Sequence, residues 1–167
     1  MPALNDITIR TTLQSGDIGY VTYMHGIFHQ RECGYGLSFE SYVAEGLHEF
    51  HKNYNPGKER MWICEDAGKN NKIIGSLLLM DRGNDTAQLR YFILEPEYRG
   101  IGLGKKLMDL FVEYLKEKNY KRCYLWTTNE LEAAASLYTK YGFTLTEEKE
   151  TTDFGKRVIE QRYDAEV

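Results

Sequence analysis

The chain has 167 residues, is 42% hydrophobic and carries a formal charge of −4 at neutral pH. That length buries one substantial core but leaves little for two, so a single domain over residues 1–167 is expected. The acidic balance argues against a nucleic-acid surface, which needs a basic face, and no apolar stretch approaches the roughly 20 residues that span a bilayer. The three cysteines, Cys33, Cys64 and Cys123, are odd in number, lack metal-type spacing and follow no recognisable signal peptide. They point to a reducing compartment, the cytoplasm.

Asp6–Leu13 alternates and is rich in branched residues, as a first strand should be. Ser15-Gly16-Asp17 offers capping chemistry, and Val21, Met24 and Phe28 recur at helical spacing over Ile18–Glu32. Gly34-Tyr35-Gly36 breaks this helix. Ser38 can cap a second, with Phe39, Val43, Gly46, Leu47 and Phe50 on one face, ending before the turn cluster Asn53-Tyr54-Asn55-Pro56-Gly57. Arg60–Glu65 and Lys72–Met80 read as a hairpin around Ala67–Asn71, and Gly83-Asn84-Asp85 leads into a third strand, Leu89–Leu94. A helix from Gly102 to Lys118 and a parallel strand, Tyr120–Thr127, make a β-α-β unit. Glu130–Tyr141 is a last helix stopped by Gly142, and Phe143–Glu150 with Lys156–Tyr163 closes the chain as a hairpin. The expected fold is α/β, a mixed and mostly antiparallel sheet of six to seven strands with about four helices, in the order β-α-α-β-β-β-α-β-α-β-β.

The most informative stretch is Gln88–Lys105. Pro96 cannot donate to a sheet ladder and ends the strand. Arg99-Gly100-Ile101-Gly102-Leu103-Gly104 then places glycines at alternate positions immediately before an amphipathic helix. Glycines let backbone N–H groups converge, and a helix N-terminus adds partial positive charge, so the loop is suited to a pyrophosphate. A nucleotide P-loop would end in Gly-Lys-Ser/Thr, whereas Gly104-Lys105-Lys106 lacks the hydroxyl. A dinucleotide fold would place such a loop after the first strand of a parallel sheet, not after an antiparallel meander.

This order and this loop resemble the GNAT superfamily of acetyl-CoA-dependent N-acetyltransferases, whose Gln/Arg-x-x-Gly-x-Gly/Ala signature is met by Arg99, Gly102 and Gly104. The segment Leu137-Tyr138-Thr139-Lys140-Tyr141-Gly142-Phe143 resembles the family's Leu-Tyr-x-x-x-Gly-Phe. More narrowly, His25-Gly26, Glu32-x-Gly34, Phe39-Glu40 and Phe154-Gly155 resemble the acetyltransferase half fused to MarR-type regulators. The resemblance implies acetyl transfer to a primary amine by direct attack, with longer acyl transfer or an acyl-CoA-binding sensor as alternatives. It implies that Arg99, Gly100, Ile101, Gly102, Leu103, Gly104 and Lys105 hold the CoA pyrophosphate and that Phe92, Ile93 and Leu94 pair with the pantetheine arm. The Phe92 amide would polarise the thioester carbonyl and Tyr138 would protonate the departing thiolate. No metal is implied, and a homodimer paired through the last hairpin is open.

Two positions depart from the family pattern. Gln88 stands where many members have a glutamate base, leaving a water chain, Glu32 or Glu40 to serve. Leu131 stands where a cofactor-binding asparagine is common, with Asn129 nearby. Tyr20, His25, Glu32 and Tyr35 are candidate acceptor-site lining. His25, His29 and Glu32 share a helical face, which reads as a substrate-facing polar surface in preference to a metal site. Strand alternation puts Gln88, Arg90, Phe92 and Leu94 on one face, with Arg90 toward an acceptor carboxylate.

Overall fold

The structure, a computed structural model, describes residues 1–167. Its elements are β1 (Ile7–Arg10), α1 (Asp17–Cys33), α2 (Leu37–Lys52), β2 (Arg60–Asp66), β3 (Lys72–Asp81), β4 (Thr86–Leu94), α3 (Leu103–Glu117), β5 (Arg122–Thr128), α4 (Glu132–Lys140), β6 (Thr144–Thr151) and β7 (Val158–Glu166). The order is the expected one. Seven strands form one sheet, β1-β2-β3-β4-β5-β7-β6, antiparallel except between β4 and β5. No helix is long and apolar enough to cross a membrane.

Alternation along β2 divides the core between the two sheet faces. Trp62 and Cys64 pack with Leu107, Phe111 and Tyr138 from α3 and α4, while Met61 and Ile63 pack with Val21, Val43 and Leu47 from α1 and α2. All three cysteines are buried free thiols. Two boundaries differ from the sequence reading for reasons of pairing. β1 stops at Arg10, whose guanidinium turns to Asp17 at 2.7 Å and clamps the start of α1. β7 runs past Tyr163 to Glu166 because it lies between β5 and β6 and is paired on both edges.

The alternation expected on β4 fails at one point. Ser76 pairs with Ile93 but Leu78 with Arg90, so β4 carries one residue more than β3 across this step. The extra residue is accommodated at Tyr91, whose φ is 52°, a β-bulge. The Tyr91 carbonyl, displaced from the ladder, accepts from the Ser76 hydroxyl at 2.7 Å. A bulge reverses the side-chain parity beyond it. Phe92 and Leu94 therefore join Ala87 and Leu89 on the α3–α4 side, while Tyr91 packs on the α1–α2 side. Gln88, Arg90, Phe92 and Leu94 do not share a face.

The same region opens the sheet. β4 and β5 pair only from Thr86–Arg122 to Gln88–Tyr124, whereas all of β5 stays paired with β7. Beyond Gln88 the edge of β4 that faces β5 has no strand partner.

Candidate active site

The gap between β4 and β5 holds a cavity of about 260 Å³. It reaches both faces of the sheet: Leu89, Phe92 and Tyr138 line it from the α3–α4 side, and Tyr35, Phe39 and Tyr91 from the α1–α2 side. A passage through a sheet lets two reactants enter from opposite sides and meet in the middle.

On the α3–α4 side the Tyr138 ring is 6.3 Å from that of Phe92 and only 6% exposed. Its hydroxyl makes no hydrogen bond within the chain, and burial alone pushes the phenol's pKa up, so it stays protonated.

The glycine loop lies at the end of the same β4 edge. Pro96–Tyr98 forms a 3₁₀ turn in which Tyr98 is fully buried and donates to Asp66 at 2.5 Å. Gly100 and Gly102 then adopt φ of 76° and 91°, a left-handed conformation that would strain a residue with a Cβ. This bends the chain into α3, and the amides of Gly100 to Lys105 have no acceptor within the protein. Unspent donors at a helix N-terminus fit a pyrophosphate, so the loop suits CoA on the chain's own geometry. Arg99 borders it: its Nε donates to the Leu94 carbonyl at 3.1 Å and its terminal nitrogens reach the Glu32 carboxylate at 2.7 and 2.8 Å.

That ion pair relocates one expected residue. Glu32 does not line the cavity, and the Arg99 hydrogen bonds hold its pKa below the ordinary carboxylate value, which weakens it as a base. Glu40 lies against the α1 backbone at Gly26, also away from the cavity. Tyr20 packs against Tyr23, 5.9 Å between ring centres, and stays outside. The side-chain oxygen of Asn129 accepts from the Ile159 amide at 3.1 Å, spending it on β7.

His25, Tyr35 and Arg90 do line the cavity, as does Gln88, whose Oε1 accepts from Arg82 Nε at 2.7 Å. The Tyr35 hydroxyl is 2.6 Å from the Thr128 hydroxyl, tying the α1–α2 connection to β5. His25 Nδ1 donates to the Val21 carbonyl at 2.8 Å and His29 Nδ1 to the His25 carbonyl at 3.0 Å. A carbonyl only accepts, so both rings keep Nε2 as a lone pair. Burial pushes the His25 pKa down to about 3 and lowers that of His29.

Sequence reading missed Phe39, Tyr42, Phe154 and Trp126 as cavity walls. Phe154, in the hairpin turn, reaches the site because its carbonyl accepts from the Gly36 amide at 2.8 Å. No local signal announces that contact.

Neutral His25 carries a pH prediction. An unfolded imidazole titrates near 6.5 and the folded one near 3, so between these values the unfolded chain binds the extra proton. Stability is therefore intact above about pH 6.5 and falls as pH drops, by up to about 1.4 kcal/mol per pH unit. Urea unfolding between about pH 7 and pH 4.5 should show this slope, and His25→Leu should flatten it; an unchanged slope would assign the acid sensitivity elsewhere.

Comparison with known proteins agrees with this geometry. A family model described as Acetyltransferase (GNAT) family matches residues 25–143. The chain is 32% identical over 120 residues to the uncharacterized N-acetyltransferase YjgM of Escherichia coli, covering 70% of this chain and 72% of the relative. An acetyltransferase structure from Streptococcus agalactiae superposes with TM-score 0.76 at 19% identity, over 98% of this chain and all of that one. Spermidine N-acetyltransferase from Vibrio cholerae, solved with CoA and spermine, superposes with TM-score 0.70 at 22% identity, over 97% and 96% of the two chains. From its loop, its interrupted sheet and these matches together, the chain belongs to the GNAT family of acetyltransferases.

Proposed function

We propose that the protein transfers the acetyl group of acetyl-CoA to a primary amine by direct attack in a ternary complex. The observation that carries this reading is the cavity crossing the sheet between β4 and β5, with the free amides of residues 100–105 at one end of the same strand edge and neutral imidazoles on the opposite face. Acetyl-CoA supplies the thioester. In that exchange a C–N bond forms, the C–S bond breaks, the amine gives up a proton and the sulfur gains one.

The amides of Gly100 to Lys105 hold the pyrophosphate, with Arg99 beside them, and the unpaired edge at Phe92, Ile93 and Leu94 aligns the pantetheine arm. The Phe92 amide donates to the thioester oxygen, where negative charge develops. Tyr138, held protonated by burial, donates to the sulfur. Gln88 has no basicity to take the amine's proton. An alkylammonium has a pKa of about 10.4, so the first proton leaves to solvent; the second passes to water, which the Nε2 lone pairs of His25 and His29 orient as hydrogen-bond acceptors while both rings stay neutral. Asn129 and Tyr20 play no part in this scheme, and Glu32 acts by fixing Arg99.

The acceptor-side pattern His25-Gly26, Phe39-Glu40 and Phe154-Gly155 supports kinship with acetyltransferases fused to MarR-type regulators. A Cβ at Gly26 would overlap the Glu40 carboxylate, so this pairing needs the glycine. A cytoplasmic site of action and a homodimer through the exposed edge strand β6 complete the proposal.

The test is CoA release with acetyl-CoA and a panel of amines. Turnover of any amine above the hydrolysis blank is expected; CoA binding with no turnover on all of them favours an acyl-CoA sensor, and faster release from longer acyl-CoAs favours another acyl donor.

A further inference from the structure

Arg90 is the uncompensated charge of the cavity. It lines the space from the α1–α2 side of the gap, and no carboxylate lies within 4.0 Å of it. Its contacts are a long hydrogen bond to the Tyr42 hydroxyl at 3.4 Å and the faces of Tyr91 and Tyr42, at 4.7 and 5.9 Å from the ring centres. Those rings position the guanidinium without neutralising it, and most of its five donors remain unspent. The other charged groups around the cavity cancel: Lys149 and Glu160 pair at 3.6 Å, and His25 and His29 are neutral donors to carbonyls. Arg90 also lines a second groove on its other side, with Glu45, Glu49, Glu59 and Asp81, and none of these carboxylates pairs with it.

Arg90 is half-buried and flanked by aromatic rings, so its charge attracts an anion and repels a polycation more strongly than a fully solvated one would. Much of the α1–α2 wall is aromatic: Tyr35, Phe39 and Phe154 meet pairwise at 5.1 to 5.5 Å between ring centres. Arg90 and Phe92 flank the bulge at Tyr91, so their backbones lie at most roughly 7 Å apart, the span of two residues in a regular strand. A single small molecule can therefore reach the guanidinium and the reacting carbonyl together.

Resting on the acetyl-transfer reading above, we propose that the acceptor is an amine bearing a carboxylate, of the α-amino acid class with an apolar or aromatic side chain, and that Arg90 binds that carboxylate. The planar fork of the guanidinium matches a carboxylate by two parallel hydrogen bonds. The aromatic cluster takes the side chain, and the amine is left facing the gap.

The experiment measures CoA release for L-phenylalanine, for 2-phenylethylamine, which has the same ring and amine without the carboxylate, and for spermidine. The wild type is expected to favour phenylalanine over phenylethylamine by at least about tenfold in kcat/KM, the scale of a charge-assisted hydrogen bond, and to leave spermidine untouched. Arg90→Gln should collapse that ratio toward one, and Arg90→Lys, which keeps the charge and the apolar stem, should give an intermediate ratio. Equal use of phenylethylamine, preference for spermidine, or a ratio unmoved by Arg90→Gln would overturn the proposal. Binding is read separately, as the thermal shift that phenylalanine produces in the presence of CoA. A shift lost in Arg90→Gln supports the carboxylate site even if no amine turns over, which would sink only the transfer reading. Absence of any shift in the wild type overturns the carboxylate site itself.

Discussion

Tyr138→Phe should lower kcat by about 10²-fold or more while leaving the KM for acetyl-CoA nearly unchanged, the loss typical of removing a general acid. The substitution keeps the ring, and with it the packing against Phe92 and Phe143 at 6.3 and 6.1 Å. It deletes only a hydroxyl that bonds to nothing else in the chain, so the fold has no reason to change. In water a phenol with a pKa of about 10 is a slightly weaker acid than the thiol of about 8.5 that it must restore. Burial raises the phenol, and a thiolate in the same apolar gap is destabilised by the same physics, so the small difference is preserved. Without the hydroxyl the sulfur must leave as a bare anion. The check is steady-state kinetics of CoA release across pH. A kcat within about threefold of wild type would mean that water, not Tyr138, supplies the proton.

Phe111→Ala is the second large effect, on stability rather than chemistry. Phe111 is fully buried on α3, 6.0 Å from the Trp62 ring on β2, with Leu107, Met108, Tyr114 and Leu115 in the same cluster. Truncating a core phenylalanine costs about 3–5 kcal/mol, because apolar transfer is lost and a cavity is left behind. At about 2–4 °C per kcal/mol for a chain of this size, the melting temperature should fall by about 6–20 °C. The function follows because α3 presents the loop amides. CoA at about 100 times its Kd should restore about 2.7 kcal/mol of the loss if the loop still forms. Thermal melts with and without CoA measure both quantities. A fall of less than about 2 °C would show that the core closes over the deletion.

Those two residues were legible in different degrees. Phe111 stands out by helical spacing alone, since its period depends on neighbours within one turn. Tyr138 is one of 13 tyrosines, and only its setting between Leu137 and Gly142-Phe143 separates it from the rest. The glycine loop was readable because left-handed turns and helix starts are local requirements. The order of all eleven elements was readable too, for each carries its own period and its own breakers.

The long-range pairings were not. One residue more on β4 than on β3 puts a bulge at Tyr91. Nothing in the alternation of Gln88–Leu94 signals it, because a bulge arises from the count across two strands and not along one. Phe154 enters the site through a backbone bond to Gly36, and Asn129 leaves it through a bond to Ile159. Glu32 is held away from the cavity by Arg99, 67 positions later. The sequence by itself thus determined the elements, their order and the glycine loop with its free amides, since these depend on neighbours a few residues away. Only the tertiary structure decided which side chains line the cavity, because register, splay and ion pairing are settled between segments that the chain brings together from afar.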